Sequence, residues 1–568
     1  MPCNLTTALL TLCEATENLK FVLFSSIVLN SLVYFAIFIG INGSLQNNSL
    51  KLKQFLAAIL IFFFAKIGLS KLIDDINKSD IELVIQIWYQ LNVVISGLCF
   101  VFAMPFCLKL LEKENSPEIA VQSVINFFQR SADYLAKYGA FSRCWVFHRL
   151  FIPVADWELA QQLLHSESHL ETGHELMSDW LGEGVLMCQP EHWPQRHQQL
   201  AALSSPDNLL QLTKLFQQQA VQLCQQLEAY AATRQLFDVW QPVSGNVLDL
   251  MLATSCGMQP SEQYKQAFTD LIEIYRKRFL SIKSANRFTF WLASPLMRRR
   301  QQRLIRILND ENKQMLGKWR QQQLIESQLK SEGITIDRIE PASKLQHQTL
   351  LEVLLSGGKL SDTELCAELN TCNYLGYLLC SSTLCFTLVL IARHPAVQQR
   401  CLEELRNARS SEDWQLQRLP YLDAVLRESL RLQPPQLIVG RQLSQDFNYT
   451  HSLVGNGALP AGAEVYINLY ELQRSEPQYG NQAHLFQPER FLAQPPQLLS
   501  FGLGPRSCPA RELSLSLLKA LLAPLLLQFE LLPYGDAMRP NLRLALGSRN
   551  GFQLALQPRE AIETKTID

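Results

Sequence analysis

Ten residues near the C-terminus, Phe501-Gly502-Leu503-Gly504-Pro505-Arg506-Ser507-Cys508-Pro509-Ala510, constrain this chain more than any other stretch. Two glycines in three residues let the backbone turn tightly and approach a flat ligand. An apolar helical pattern through Leu513, Leu517, Leu518 and Leu521 follows Pro509. Proline is favoured at the first helical position, so the reading puts Cys508 at a helix N-terminus, where dipole and free amides favour thiolate over thiol. Arg506, two residues before the sulfur, suits a carboxylate on the ligand. Thiolate, glycine turn and carboxylate-binding arginine together are what a haem iron with propionates requires. The bland alternative is a buried structural cysteine.

Composition says what surrounds this loop. Lys+Arg 51 against Asp+Glu 52 leaves a net charge of −1, which argues against nucleic acid as a partner. Charged residues at 18% and hydrophobic ones at 48% exclude disorder and suggest a membrane. Residues 21–41 and 83–108 carry no charge, and each is long enough to cross ~30 Å of hydrocarbon as a helix. Residues 55–73 are apolar but interrupted by Lys66 and Lys71, a weaker third candidate. The expectation is a membrane-anchoring region over 1–111 with two or three transmembrane helices, then a soluble catalytic domain over 112–568. Fourteen cysteines without a CxxC pair fit reduced thiols on the cytosolic side. In that domain, 156–165, 209–231, 421–432 and 360–393 show helical spacing, while 465–469 and 552–556 alternate as strands.

Phe501, Gly504, Arg506 and Cys508 match the Phe-x-x-Gly-x-Arg-x-Cys signature, and the chain resembles the cytochrome P450 superfamily from about residue 118 to 560. Glu428-x-x-Arg431 resembles the family's helix pair, able to meet at i, i+3. Pro488-Glu489-Arg490-Phe491 resembles the stretch whose arginine joins that pair behind the haem. Trp193-Pro194-Gln195-Arg196-His197 resembles the propionate-binding Trp-x-x-x-Arg, with His197 at the arginine position and Arg196 beside it. Gly440-Arg441 resembles the strand arginine for the other propionate. The order of motifs is most like the microsomal family 4 branch of insects, through Leu181-Gly182-Glu183-Gly184 and Ala392-Arg393-His394-Pro395-x-Val397-Gln398. The resemblance implies a mostly α fold with a small β subdomain. It implies a haem ligated by Cys508 and electrons from NADPH through a reductase. It further implies monooxygenation of an apolar small molecule (fatty acid, hormone-like lipid or xenobiotic) at the cytosolic face of the endoplasmic reticulum membrane.

One helix departs from the pattern. The family's Ala/Glu-Gly-x-Asp/Glu-Thr-Thr falls on Leu375-Gly376-Tyr377-Leu378-Leu379-Cys380. Gly376 is kept and permits a local opening. Leu378 and Leu379 replace the acid and alcohol that organise proton delivery. Leu375 replaces the glutamate that esterifies haem in many family 4 members, so no covalent attachment is expected. Two alternatives stay open: a haem-thiolate isomerase or dehydratase of peroxides that uses no dioxygen, and a haem-binding protein with little turnover. His165, His169 and His174 have zinc-like spacing in part but belong to no metal motif. Cys366, Cys372, Cys380 and Cys385 read as small core residues, as do Tyr374 and Tyr377. The basic run Arg298–Arg300, Arg303 and Arg306 reads as a solvated face.

Overall fold

The computed structural model describes residues 143–146, 149–166, 169–172, 174–257, 259–279, 290–291, 294–331, 348–357, 360–409, 418–493 and 495–559. The candidate membrane segments 21–41, 55–73 and 83–108 lie outside the described residues. Ten longer helices run in chain order: α1 Trp157–His165, α2 Trp193–Ala202, α3 Pro206–Thr233, α4 Trp240–Cys256, α5 Glu262–Phe279, α6 Pro295–Ser331, α7 Asp362–Ala392, α8 Pro395–Arg409, α9 Pro420–Leu432 and α10 Arg511–Gln528. The strands are β1 Cys144–Val146, β2 Arg149–Val154, β3 His169–Thr172, β4 Phe237–Asp238, β5 Ile438–Leu443, β6 Phe447–His451, β7 Gly455–Leu459, β8 Glu464–Asn468, β9 Phe529–Leu532, β10 Pro540–Leu542, β11 Leu546–Ser548 and β12 Gln553–Pro558.

The sheets are small and peripheral. Five strands in the order β1-β2-β8-β5-β3 are antiparallel except for the β2–β8 pair. Their inward residues Ile152, Val154, Val465 and Ile467 are covered by Leu159, Leu163 and Leu164 of α1. Near the C-terminus β12 pairs with β4 and β9, and β10–β11 and β6–β7 form hairpins.

The helical core is organised around α7. Ser361 caps it, accepting from the Glu364 amide while Glu364 accepts from the Ser361 amide at 2.8 Å. This reciprocal box satisfies two orphan donors at the start, and Pro395 follows just past its end. At ~1.5 Å per residue, thirty-one residues span roughly 46 Å. It is the one described helix long and apolar enough to cross a membrane, yet it is a core helix. It packs against α4, α6, α9, α10 and β9.

A buried ionic network ties α9 to the loops below it. Arg431 is fully buried and makes a fork to Glu428 at 2.7 and 2.8 Å. Its remaining donors reach the carbonyls of Gln473, Ala483 and Leu485. Glu428 also accepts from the Gln487 amide at 2.8 Å and from Arg490 at 3.4 Å. Arg490 bonds the Tyr479 and Gln482 carbonyls. Removing one member leaves the other charge buried without its counter-ion. Glu428→Ala is therefore expected to cost about 3–5 kcal/mol of unfolding free energy, read by urea denaturation. An exposed-pair variant such as Asp362→Ala, which breaks the Arg320 contact, should change stability by less than about 1 kcal/mol.

Candidate functional site

Residues 501–510 are all half-buried, ten in a row between the buried Leu499 and α10. A loop that is neither core nor surface over that length lines a hollow. Its shape comes from short bonds: the Cys508 amide donates to the Phe501 carbonyl at 2.7 Å, and the Ser507 amide to Gly504 at 3.0 Å. Gly502 and Gly504 have φ of 71° and 67°. At Gly504 a Cβ would lie 2.6 Å from the Leu164 carbonyl oxygen and 2.8 Å from the His165 Cα. Only glycine lets this turn sit against the end of α1.

The helix behind the loop begins at Arg511, not at Pro509. Cys508 thus precedes the first helical turn, and its sulfur accepts the Ala510 amide. Burial pushes the thiol upward, and the Ala510 amide and the Arg511 charge only partly oppose it. The protein alone therefore keeps Cys508 protonated, and the expected thiolate needs a cation at the sulfur to displace the proton.

The sequence singles out α2, and α2 is the wall that holds this loop. Trp193 Nε1 donates to the Pro505 carbonyl at 3.3 Å, and His197 Nε2 meets the Ser507 carbonyl at 3.0 Å. Just past the helix, Ser204 Oγ donates to the Pro509 carbonyl at 3.4 Å. Alternate carbonyls on both sides of Cys508 are thus gripped from one side. The Arg506 guanidinium lies 4.7 Å over the Trp193 ring, a cation–π contact. Arg196 turns elsewhere: it is buried and pairs with Glu368 and Glu364 of α7, each at 3.0 Å. Arg441 is buried in β5 and donates to the Gly440 carbonyl at 2.9 Å. Phe501 lies in the loop itself, with the Arg511 guanidinium 5.7 Å from its ring.

On α7 every residue from Leu365 to Ala392 is buried except Cys372, Leu375, Gly376 and Leu379. These stand at i, i+3, i+4 and i+7, one half-buried stripe along the helix. Leu378 is buried in the aromatic cluster of Trp180, Phe268, Tyr374 and Tyr377. The expected local opening at Gly376 is absent, because α7 is helical throughout. The space beside Gly376 is filled by the Met251 thioether of α4, into which a Cβ would collide. Thr383 hydrogen-bonds the Leu379 carbonyl at 2.8 Å.

Two features escaped sequence reasoning. Glu368 is fully buried, accepts the Val185 amide at 2.9 Å and takes Arg196 on its other oxygen. Burial pushes its carboxyl up to about 7, against the Val185 bond and Arg196. The available signal was that Glu368 is the sole charged residue between Leu365 and Ala392. Met251 gave no signal. His165 is exposed, and among the described residues no group of three His, Cys, Asp or Glu forms a metal site. Cys366, Cys380 and Cys385 are buried in the helical core.

The glycine turn, the half-buried cysteine loop and the half-buried stripe are compatible with a flat, iron-bearing ring. Comparison with known proteins agrees. The family model for cytochrome P450 matches residues 115–555. A Drosophila melanogaster protein named probable cytochrome P450 316a1 is 58% identical over 439 residues, covering 77% of this chain and 90% of the relative. Cytochrome P450 4d8 of the same organism is 32% identical, covering 76% and 97%. Mouse cytochrome P450 4A10 is 27% identical, covering 74% and 83%.

A pair of substitutions isolates the packing demand at Gly504. Gly480 has a similar φ of 78° with open space around it. Gly480→Ala should cost only backbone strain, about 1–3 kcal/mol, because at ψ 175° it sits in the extended positive-φ region that glycine alone populates freely. Gly504→Ala adds a backbone clash and should cost clearly more, with loss of bound haem. Melting temperature and haem absorbance of the two variants are the measurements.

Proposed function

The chain belongs to the cytochrome P450 family of haem-thiolate monooxygenases, fed with electrons by a reductase, and we propose that it oxidises an apolar small molecule with Cys508 as the iron ligand. The carrying observation is the ten-residue half-buried cysteine loop, with Cys372 of the half-buried α7 stripe within electrostatic reach of Cys508. The haem, when bound, supplies activation of dioxygen by a thiolate-ligated iron. The chain's own residues shape the rest. Cys508 holds the iron; Trp193 and His197 hold the loop; Arg506, Arg441 and the α2 face around His197 receive the propionates. Arg196, already shared by two carboxylates, serves α7 instead. Glu428, Arg431 and Arg490 keep the scaffold behind the loop.

Substrate chemistry follows from the walls. Leu176, Met187, Leu375, Leu379 and Leu544 are half-buried aliphatic side chains around one cluster. They favour a neutral or long-chain apolar substrate of the fatty-acid, hormone-like lipid or xenobiotic kind. An NADPH-linked reductase and the cytosolic face of the endoplasmic reticulum complete the reading, with residues 1–111 as membrane anchor. The absence of acid and hydroxyl at Leu378 and Leu379 favours a second reading, a haem-thiolate isomerase or dehydratase of peroxides. NADPH-dependent oxygen uptake with reductase present separates the two.

Two measurements test the proposal. The reduced protein with carbon monoxide should show the strongly red-shifted Soret band of thiolate ligation, and Cys508→Ala should abolish it. A band retained in that variant rejects the ligand. Product formed per NADPH oxidised should be low in the wild type, because leucines neither donate nor relay protons. Leu379→Thr, on the half-buried stripe, should raise it at constant haem content. Tight coupling in the wild type would show that proton delivery bypasses this position.

A further inference from the structure

The Glu368 carboxylate sits where three parts of the site converge, and the haem chemistry proposed above gives it no task. One oxygen accepts the amide of Val185, in the segment that leads into α2. The other takes Nη1 of Arg196, which lies on α2 between Trp193 and His197. The same segment is closed onto itself by the Cys188 thiol donating to the Val185 carbonyl at 3.5 Å. It is pressed against α7 at Gly184, where a Cβ would collide with Thr371. Glu368 therefore grips both the entry to α2 and one side of α2. Trp193 and His197, on the face of α2 adjoining Arg196, and Ser204 just past the helix grip the carbonyls of Pro505, Ser507 and Pro509 around Cys508.

We infer that Glu368 is a positioning residue: through Arg196 and the Val185 amide it fixes the rotation of α2, so that its charge sets how firmly the Cys508 loop is held and how much bound haem is thiolate-ligated. The inference rests on the haem-thiolate reading above. A buried charge paired by one shared guanidinium costs folding energy that a hydrophobic residue would not. Its retention is intelligible if the pair orients α2 and not merely fills space.

The charged neighbours are few. Arg196 comes from α2. Glu364 and Cys372 come from α7 itself, and Cys188 from the segment before α2. Glu364 is held below its ordinary value chiefly by the Ser361 amide and hydroxyl, so it stays ionised and keeps its claim on Arg196. Cys372 is pushed well up and stays a thiol. Glu368, pushed up to about 7 mainly by burial, is the group whose charge changes near neutrality. The sign is fixed by that direction. A carboxyl raised above 4.5 binds its proton more tightly when folded, so its contribution to stability is fully present below about 4.5 and falls as pH rises to about 7. Ionisation thus costs stability while it completes the pair with Arg196.

The experiment is a pH titration from 6 to 8.5 of the full-length, haem-loaded, reduced protein with carbon monoxide. It reads the fraction of haem with the red-shifted thiolate band against the unshifted, thiol-ligated band. The wild type should gain thiolate fraction with a midpoint near pH 7. Glu368→Gln should flatten the profile over this range at its low-pH level. Arg196→Lys keeps the charge but loses the fork, and should move the midpoint upward. If Glu368→Gln does not retain haem, the direction of the Arg196→Lys shift decides. A wild-type profile in Glu368→Gln, or an unmoved midpoint in Arg196→Lys, overturns the inference and leaves the haem-thiolate reading intact. A wild type without any red-shifted band overturns that reading, and the inference with it.

Discussion

A helix with no solvent face is the constraint from which the rest of this domain follows. Between Leu365 and Ala392, α7 has no exposed residue and only four half-buried ones, so other elements must cover it on nearly all sides. Helices α4, α6, α9 and α10 and strand β9 do so, burying a continuous cluster from Val185 to Leu556. Most polar groups on α7 find partners inside, as the cost of about 1–3 kcal/mol for an unpaired buried group demands, and Thr371 Oγ1, Asn373 Nδ2 and Ser381 Oγ are the exceptions among the described residues of this helix. Asn370 finds Asn309, Asn312 and the Trp180 carbonyl. Ser382 finds the Leu546 carbonyl at 2.6 Å, and Thr387 finds Ser429 at 2.7 Å. These bonds fix the register of α7 against its neighbours. They leave one half-buried stripe, at Cys372, Leu375, Gly376 and Leu379.

How much of this was legible depends on whether the cause was local. The extents of α1, α9 and α7 came within two residues of the pattern reading, because cap, apolar face and proline punctuation are all written in neighbouring residues. The β8 and β12 strands were legible from alternation alone. The start of α10 was misplaced by two residues. Proline at the first helical position is a preference, and here Pro509 and Ala510 form a turn before the helix begins. The partners of Arg196 were not legible: a basic residue beside a tryptophan looks the same whether it faces a ligand or a glutamate 172 positions away. Met251 filling the space beside Gly376 has no local sign at all.

The same distinction explains why the sulfur's protonation could not be read from spacing. A cysteine before a helix suggests a lowered pKa, but desolvation depends on what the rest of the chain packs around it. Here burial outweighs the Ala510 amide and Arg511. The other described cysteines with a resolved shift are also pushed up by burial, Cys188 and Cys366 to about 11 and Cys256 and Cys380 to about 12. What separates Cys508 from them is the strained glycine turn and the carbonyl grip from α2, which aim its side chain. Position, more than acidity, distinguishes Cys508 from the other cysteines.

The oxygen side carries the complementary argument. The open stripe of α7 presents a thiol, two leucines and a glycine, with no carboxyl or hydroxyl of its own. Thr383, one turn beyond, spends its hydroxyl on the Leu379 carbonyl, and Asn373 is engaged with Ser255 on another face. The Thr383 hydroxyl takes that carbonyl without breaking the helix, which runs through Gly376 and Leu379 uninterrupted. Leu379 offers no hydroxyl, the helix is unbroken there, and the Met251 thioether fills the space beside Gly376. Restoring chemistry at Leu378 and Leu379 alone would leave Met251 in place. A proton that reaches this space must come with solvent or on the substrate, so a substrate bearing its own hydroxyl near the oxidised carbon has an advantage that a bare hydrocarbon lacks.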